Sequence, residues 1–235
     1  MNTFYTIYLN LLYGERLAPG IETRLRNLIE TYRGRIPSLQ PSMSERDSIL
    51  ITYGDQVRET GKPHLQTLKN FCKNNLSGIV SGIHILPFYP WSSDDGFSVK
   101  DYRAVDPALG SWKDIEKLGH SFRLMFDGVI NHYFAQGEWF QKFLHNEEPY
   151  RDYFFTVDGD PDLSKVVRPR TLPLLTEYET ASGKRRVWTT FSADQVDLDF
   201  RNPEVLLEIF DILLMYAGRG AQFIRLDAIA YLWKE

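Results

Sequence analysis

The chain has 235 residues, a formal net charge of −4 and 43 % hydrophobic residues, with 12 prolines and 16 glycines scattered along it. This is the composition of a folded globular chain with material for one large or two small domains, and without a basic block it implies no nucleic-acid or membrane-surface partner. Cys72 is the one cysteine, which excludes an intramolecular disulfide and a cysteine metal cluster and fits a reducing compartment. The start, Met1 to Leu9, lacks the basic residues and cleavage site of a signal peptide, and no run is long enough to span a membrane. A soluble, cytoplasmic protein is therefore expected.

Residues 1–47 read as a lead-in with one helix, Ile21 to Tyr32, where Ile21, Leu25, Leu28 and Ile29 share a face. Pro37 to Arg46 reads as a connector. Ser48 to Tyr53, β-branched and apolar, is a first buried strand, stopped by Gly54-Asp55. Pro63 opens a helix in which Leu65, Leu68, Phe71 and Cys72 fall on one side. Gly78 to Leu86 is the second strand, closed by Pro87 and Pro90, and the loop beyond carries Trp91, Asp94, Asp95 and Asp101. A Ser-x-x-Asp cap, Ser111 to Asp114, starts a short helix to Phe122, and Arg123 to Ile130 is the third strand, ending in Asn131-His132. Asn202-Pro203-Glu204 starts a further helix expected to bury Leu206, Ile209, Phe210 and Leu213. Gln222 to Ala228, next to Gly218 and Gly220, is the fourth strand.

Strands alternating with helices predict parallel βαβ units, and periodicity alone leaves a doubly wound sheet and a (β/α)₈ barrel both open. The roughly 70 residues between His132 and Asn202 are too long for a plain connection. With the aromatic runs Tyr153–Val157 and Arg186–Phe191, they read as a small inserted subdomain.

In parallel α/β folds the loops after the strands build the site. This chain places Asp55 after the first strand, Asp94, Asp95 and Asp101 after the second, Asn131 and His132 after the third, and Arg225 with Asp227 on the fourth. Residues two apart on a strand share a face, so Arg225 would hold the Asp227 carboxylate ionised, as a nucleophile or metal ligand requires. A buried structural ion pair is the alternative. Carboxylates, an amide and an imidazole, with Trp91, Tyr102, Phe134 and Trp139 as flat apolar surfaces, suit hydroxyl-rich ligands such as sugars. No Gly-rich phosphate loop follows a strand, and Asp94, Asp95 and Asp101 lack calcium-loop spacing, so no cofactor and no metal are expected. His84, on an apolar strand, reads as a core histidine, and Trp112 as packing.

Asp127-Gly128-Val129-Ile130-Asn131-His132 resembles the D-x-V-x-N-H motif of the α-amylase superfamily, and Phe223-Ile224-Arg225-Leu226-Asp227-Ala228 resembles its G-x-R-x-D-A motif. Stretches such as His84 to Pro90, Asp95-Gly96-Phe97, Gly110-Ser111-Trp112, Arg168-Pro169-Arg170 and Val187 to Phe191 are similar to the sucrose phosphorylase branch, from about Ser48 to the end. The resemblance implies the N-terminal half of a (β/α)₈ barrel, about four βα units: a lead-in at 1–47, barrel at 48–132 and 202–235, and an inserted subdomain at 133–201. It makes Asp227 the nucleophile that forms a covalent glucosyl intermediate and Arg225 its positioning partner. Asp94 and His132 would grip the glucosyl hydroxyls, with Asp95 competing for the first role. Phe191 would supply an aromatic wall, and Gln195, Tyr231 and Arg170 would lie on the acceptor or phosphate side, Arg170 being suited to bidentate phosphate binding. The implied partners are a small α-glucoside and inorganic phosphate.

Two departures from the family pattern stand out. Tyr133-Phe134 replaces the small or aliphatic residue and serine that usually follow the motif histidine, and the chain stops soon after the fourth strand. A retaining mechanism needs a second carboxylic acid about 5 Å from the nucleophile. In the family that glutamate follows strand five, and Glu235 does not match it. The expectation is a phosphorylase portion without turnover by itself. A hydrolase or transglucosylase on the same scaffold, and a non-catalytic sugar-binding scaffold, are the alternatives.

Overall fold

The computed structural model describes residues 3–37 and 42–234. Part of the expected connector, residues 38–41, and Glu235 lie outside these. Among the described residues two compact units form: one takes 29–128 and 211–226, the other 3–28, 129–210 and 227–234. Both divisions within helices fall in long ones, α1 (Thr3–Arg33) and α5 (Pro203–Gly218).

The lead-in holds more helix than the periodicity predicts. α1 begins near the N-terminus and is broken at Gly14, whose φ of 74° and ψ of 161° only glycine adopts cheaply, giving two helical pieces. In the piece after Gly14, Ala18, Ile21 and Leu25 are buried while Leu28 and Ile29 of the expected face are half-buried, and in the piece before it Leu9 is buried. No helix among the described residues is long and apolar enough to cross a membrane.

The first unit is built on a four-stranded, wholly parallel sheet in the order β1 (Ile49–Thr52), β2 (Gly82–Ile85), β3 (Arg123–Gly128), β9 (Ala221–Leu226). Every residue of β2 is buried, which is why it reads as an unbroken apolar run. Between the strands run α2 (His64–Asn75) and α3 (Trp112–Gly119). Leu65, Leu68 and Cys72 of α2 are buried as expected, but Phe71 is 41 % exposed. At the start of α3 the predicted cap forms: Ser111 donates to Asp114 Oδ2 from its N–H at 3.1 Å and its hydroxyl at 2.8 Å. Phe88, Tyr89, Phe126 and Tyr216 pack as an aromatic cluster, Tyr89 stacked on Tyr216 at 5.2 Å. Helix α5 starts where predicted and buries Ile209 as expected, together with Val205, Leu207, Ile212 and Tyr216, but Leu206, Phe210 and Leu213 are half-buried. Glu204, Glu208 and Asp211 mark a polar side that points to the expected face, but the buried side lies about one residue round from it, because burial is set by what the helix packs against and not by its own pattern alone.

The second unit contains β4 (His132–Phe134) paired antiparallel with β8 (Gln195–Asp197), and a three-stranded antiparallel sheet in the order β5 (Thr156–Val157), β7 (Gly183–Trp188), β6 (Leu175–Thr180). Helix α4 (Glu138–Leu144) buries Phe140 and Phe143, which meet Phe154 edge-on at 4.9 and 5.3 Å. The predicted run Tyr153–Val157 is strand only at its end, and Arg186–Phe191 begins earlier, at Gly183. The residues 175–180 alternate half-buried and exposed positions at a sheet edge, so their polar face hid the strand.

Candidate active site

In the sheet unit the chemistry gathers near the C-terminal ends of β2, β3 and β9. Asp127, the penultimate residue of β3, is fully buried, and a carboxylate there must be compensated. Two neighbouring strands compensate it. His84 of β2 lies 2.8 Å from Oδ2 through Nε2, and Arg225 of β9, which β pairing places opposite Asp127, donates to Oδ1 at 2.5 Å. Tyr89 donates its hydroxyl to the Asp127 carbonyl at 3.0 Å. His84 is thus the satisfied core histidine expected. Arg225 has a partner that its spacing to Asp227 did not reveal, and its guanidinium carbon lies 5.8 Å from the Phe97 ring centre.

The strand β9 ends at Leu226, so Asp227 is the first residue beyond it. It is half-buried and followed by Ala228 in the left-handed region at φ 50°, which turns the chain into a short helical turn over Ile229–Tyr231. A left-handed alanine is strained, and it stands directly beside the proposed nucleophile.

Asp94 and Asp95 are exposed and consecutive in the left-handed region, at φ 56° and 50°. Gly96 follows at φ 101°, where a Cβ would come within 3.0 Å of the Pro87 carbonyl oxygen; glycine therefore allows the turn to close against Pro87. Burial pushes up the Tyr53 phenol, and the Asp95, Asp127, Asp94 and Asp55 charges push it further the same way.

A second group of expected site residues lies in the other unit. His132, fully buried on β4, is held across the strand pair by Gln195, whose Nε2 lies 3.2 Å from the imidazole Nε2. The Ser192 hydroxyl in turn donates to Gln195 Oε1 at 2.8 Å. The Phe191 ring stands edge-on to His132 at 5.3 Å and to Tyr231 at 5.7 Å, forming one aromatic wall. The structure therefore brings together His132, Gln195, Phe191 and Tyr231, and Gln195 is buried against the imidazole. Arg170 lies in an exposed stretch, 167–172, where its neighbour Arg168 donates to the Leu172 carbonyl.

Sequence reasoning missed two residues. Asp197, fully buried on β8, accepts from the Thr190 N–H at 3.0 Å, the Thr190 hydroxyl at 2.6 Å and Asn131 Nδ2 at 3.2 Å. Lys234, seven residues past Asp227 with only 7 % of its side chain exposed, places Nζ 2.9 Å from Asp197 Oδ2 and donates to the Tyr231 carbonyl at 2.6 Å. This ion pair therefore ties the segment after Asp227 to β8, and the Asn131 hydrogen bond to the same carboxylate joins them to the residue just before β4. The alternation in Gln195-Val196-Asp197-Leu198 gives no signal for it, since it assigns Gln195 and Asp197 to a polar outward face, whereas the strand is buried on both faces. Among the described residues, no three His, Cys, Asp or Glu side chains are grouped to hold a metal ion.

Four parallel strands joined by helices, with an insertion after the third, make the first half of a (β/α)₈ barrel. The chain belongs to the α-amylase family: the model of the α-amylase catalytic domain matches residues 76–235. It is 50 % identical over 234 residues to the glucosylglycerate phosphorylase of Spirochaeta thermophila, covering 97 % of this chain and 40 % of that protein. Against the glucosylglycerate phosphorylase of Escherichia coli the identity is 44 %, with 98 % and 42 % covered. Among solved structures, the sucrose 6F-phosphate phosphorylase from Thermoanaerobacter thermosaccharolyticum superposes with a TM-score of 0.72 at 32 % identity, covering 83 % of this chain and 42 % of that one. The isomaltulose synthase from Erwinia rhapontici NX5 shares the fold, with a TM-score of 0.69 at 24 % identity, covering 84 % and 37 %. The chain spans about 40 % of the length of the curated relatives it matches.

Proposed function

We propose that these residues supply the nucleophile and the glucose grip of a retaining α-glucosyl phosphorylase acting on glucosylglycerate or a related α-glucoside. The observation that carries this reading is the position of Asp227, directly beyond the fourth parallel strand, on a chain half identical to glucosylglycerate phosphorylases along nearly its whole length. The Asp227 carboxylate attacks the anomeric carbon, the bond to the aglycone oxygen breaks, and that oxygen takes a proton from a second carboxylic acid. Phosphate then displaces Asp227 from the opposite side. Two inversions retain the configuration and release α-glucose 1-phosphate.

Asp94 and His132 hold glucosyl hydroxyls, and Gln195 fixes the imidazole of His132. Arg225 is anchored by its hydrogen bond to Asp127, and Phe191 with Tyr231 forms an apolar wall for the acceptor side. Arg170 offers a guanidinium to phosphate. The second carboxylic acid comes from outside residues 1–235, consistent with relatives about two and a half times as long.

The test is release of glucose 1-phosphate from glucosylglycerate and phosphate. The polypeptide carrying these residues together with the sequence encoded downstream is expected to turn over, Asp227→Asn to abolish it, and the 235-residue chain alone to give none. Turnover that survives Asp227→Asn, or turnover by the 235-residue chain alone, refutes the reading.

A further inference from the structure

The sheet unit holds a cavity of about 480 Å³ walled by Tyr53, Asp55, His64, Trp91, Asp95 and Asp106. That volume falls within the roughly 300–1,000 Å³ of small-molecule sites. Asp95 lines it and Asp94 does not, so the two strained left-handed aspartates are divided. Closing the 94–96 turn against Pro87 sends one carboxylate of the pair into this cavity and leaves the other for a different role.

We infer that this cavity is a binding site for a neutral pyranose sugar. Three carboxylates, Asp55, Asp95 and Asp106, face one guanidinium, Arg58, which pairs with Asp55. That surplus of negative charge repels phosphate and carboxylate ligands. A bare metal ion is not provided for among the described residues. A simple cation would use only the acceptors, whereas a sugar hydroxyl both donates and accepts, and the wall offers both. The carboxylates accept. The Tyr53 phenol, kept protonated by burial and the surrounding acids, donates. His64 Nδ1 is buried and has no hydrogen-bond partner among the described residues, an unmet polar group of the kind a ligand satisfies. Trp91, 41 % exposed, presents the flat apolar surface on which the C–H face of a pyranose packs.

The test is calorimetric titration of the 235-residue chain with methyl α-D-glucopyranoside, alongside the NMR signal of the Trp91 indole, assigned by its loss in Trp91→Phe. Saturable binding that moves the Trp91 signal is expected, with glucose 6-phosphate binding at least about tenfold more weakly. Trp91→Ala and Asp95→Asn are each expected to weaken binding by about tenfold, with unchanged circular dichroism and melting showing that both are folded. Trp91→Phe retains most of the affinity. Absence of saturable binding, equal binding of glucose 6-phosphate, or a loss on Asp94→Asn as large as that on Asp95→Asn overturns the inference. Asp227→Asn abolishes turnover in the phosphorylase assay but leaves the Trp91 shift, so this proposal and that function fail separately.

Discussion

Replacing Lys234 by methionine keeps most of the stem's volume and removes the ammonium that faces Asp197. The carboxylate stays fully buried, still accepting from Thr190 and Asn131, but with its paired cation gone. Removing one partner of a buried pair costs about 3–5 kcal/mol, because the surviving charge can neither leave nor be hydrated. Against a total stability of about 5–15 kcal/mol that is a large share. At about 2–4 °C per kcal/mol for a chain of this size, the melting midpoint falls by about 6–20 °C. The assay is a thermal melt followed by circular dichroism, with Lys142→Met as control. Lys142 pairs with Glu138 at 2.6 Å on the surface, where water replaces the lost partner, and its removal is expected to shift the midpoint far less. Adding Asp197→Asn to Lys234→Met is expected to recover part of the loss, since it removes the stranded charge. If Lys234→Met melts no lower than Lys142→Met, the pair does not hold the segment after Asp227 and the reasoning is wrong.

Asp127→Asn leaves one acceptor oxygen where two donors converge, so Arg225 and His84 no longer both find a carboxylate oxygen; a loss of about 1–3 kcal/mol in urea unfolding and a changed imidazole ¹⁵N shift for His84 are expected. Gly96→Ala adds a Cβ within 3.0 Å of the Pro87 carbonyl oxygen at φ 101°, and a cost of about 1–3 kcal/mol with altered backbone shifts at Asp94 and Asp95 is expected in the same measurements. Burial, helped by the Asp194 charge, pushes the Tyr178 phenol from 10.0 up to about 12. Its contribution to stability is whole below pH 10 and is lost as pH rises toward 12, because the unfolded phenol ionises first; a Tyr178→Phe melt series over that window should show a shallower decline.

The four parallel strands were legible as short apolar runs, but of these only β2 is wholly buried; Ile51 of β1 and Leu226 of β9 are exposed, contrary to the buried strands expected. The helix starts at Pro63, Ser111 and Asn202 were legible because caps are local chemistry. The faces of α2 and α5 were less so. Phe71 lies out of the core and α5 is rotated by about a residue from its expected face, since burial depends on what each helix packs against. The candidate site divides in the same way. Asp227, Arg225 and His132 stand in motifs whose order along the chain is itself the signal. Their supports are remote: Arg225 meets Asp127 98 positions away, and His132 meets Gln195 63 positions away.

Sequence alone determined the alternation of strand and helix, the insertion after the third strand and the placing of acids at strand ends, because each is written in periodicity or in a few adjacent residues. Only the tertiary structure decided which charges pair. The Arg225 guanidinium goes to Asp127 because β3 and β9 pair in that register, and the Lys234 ammonium goes to Asp197 because the chain after Asp227 turns through a left-handed alanine. Charge pairing falls off with distance in space and takes no account of distance along the chain. Two carboxylates adjacent in sequence, Asp94 and Asp95, can thus serve different walls, while a lysine and an aspartate far apart in sequence form a single buried bond.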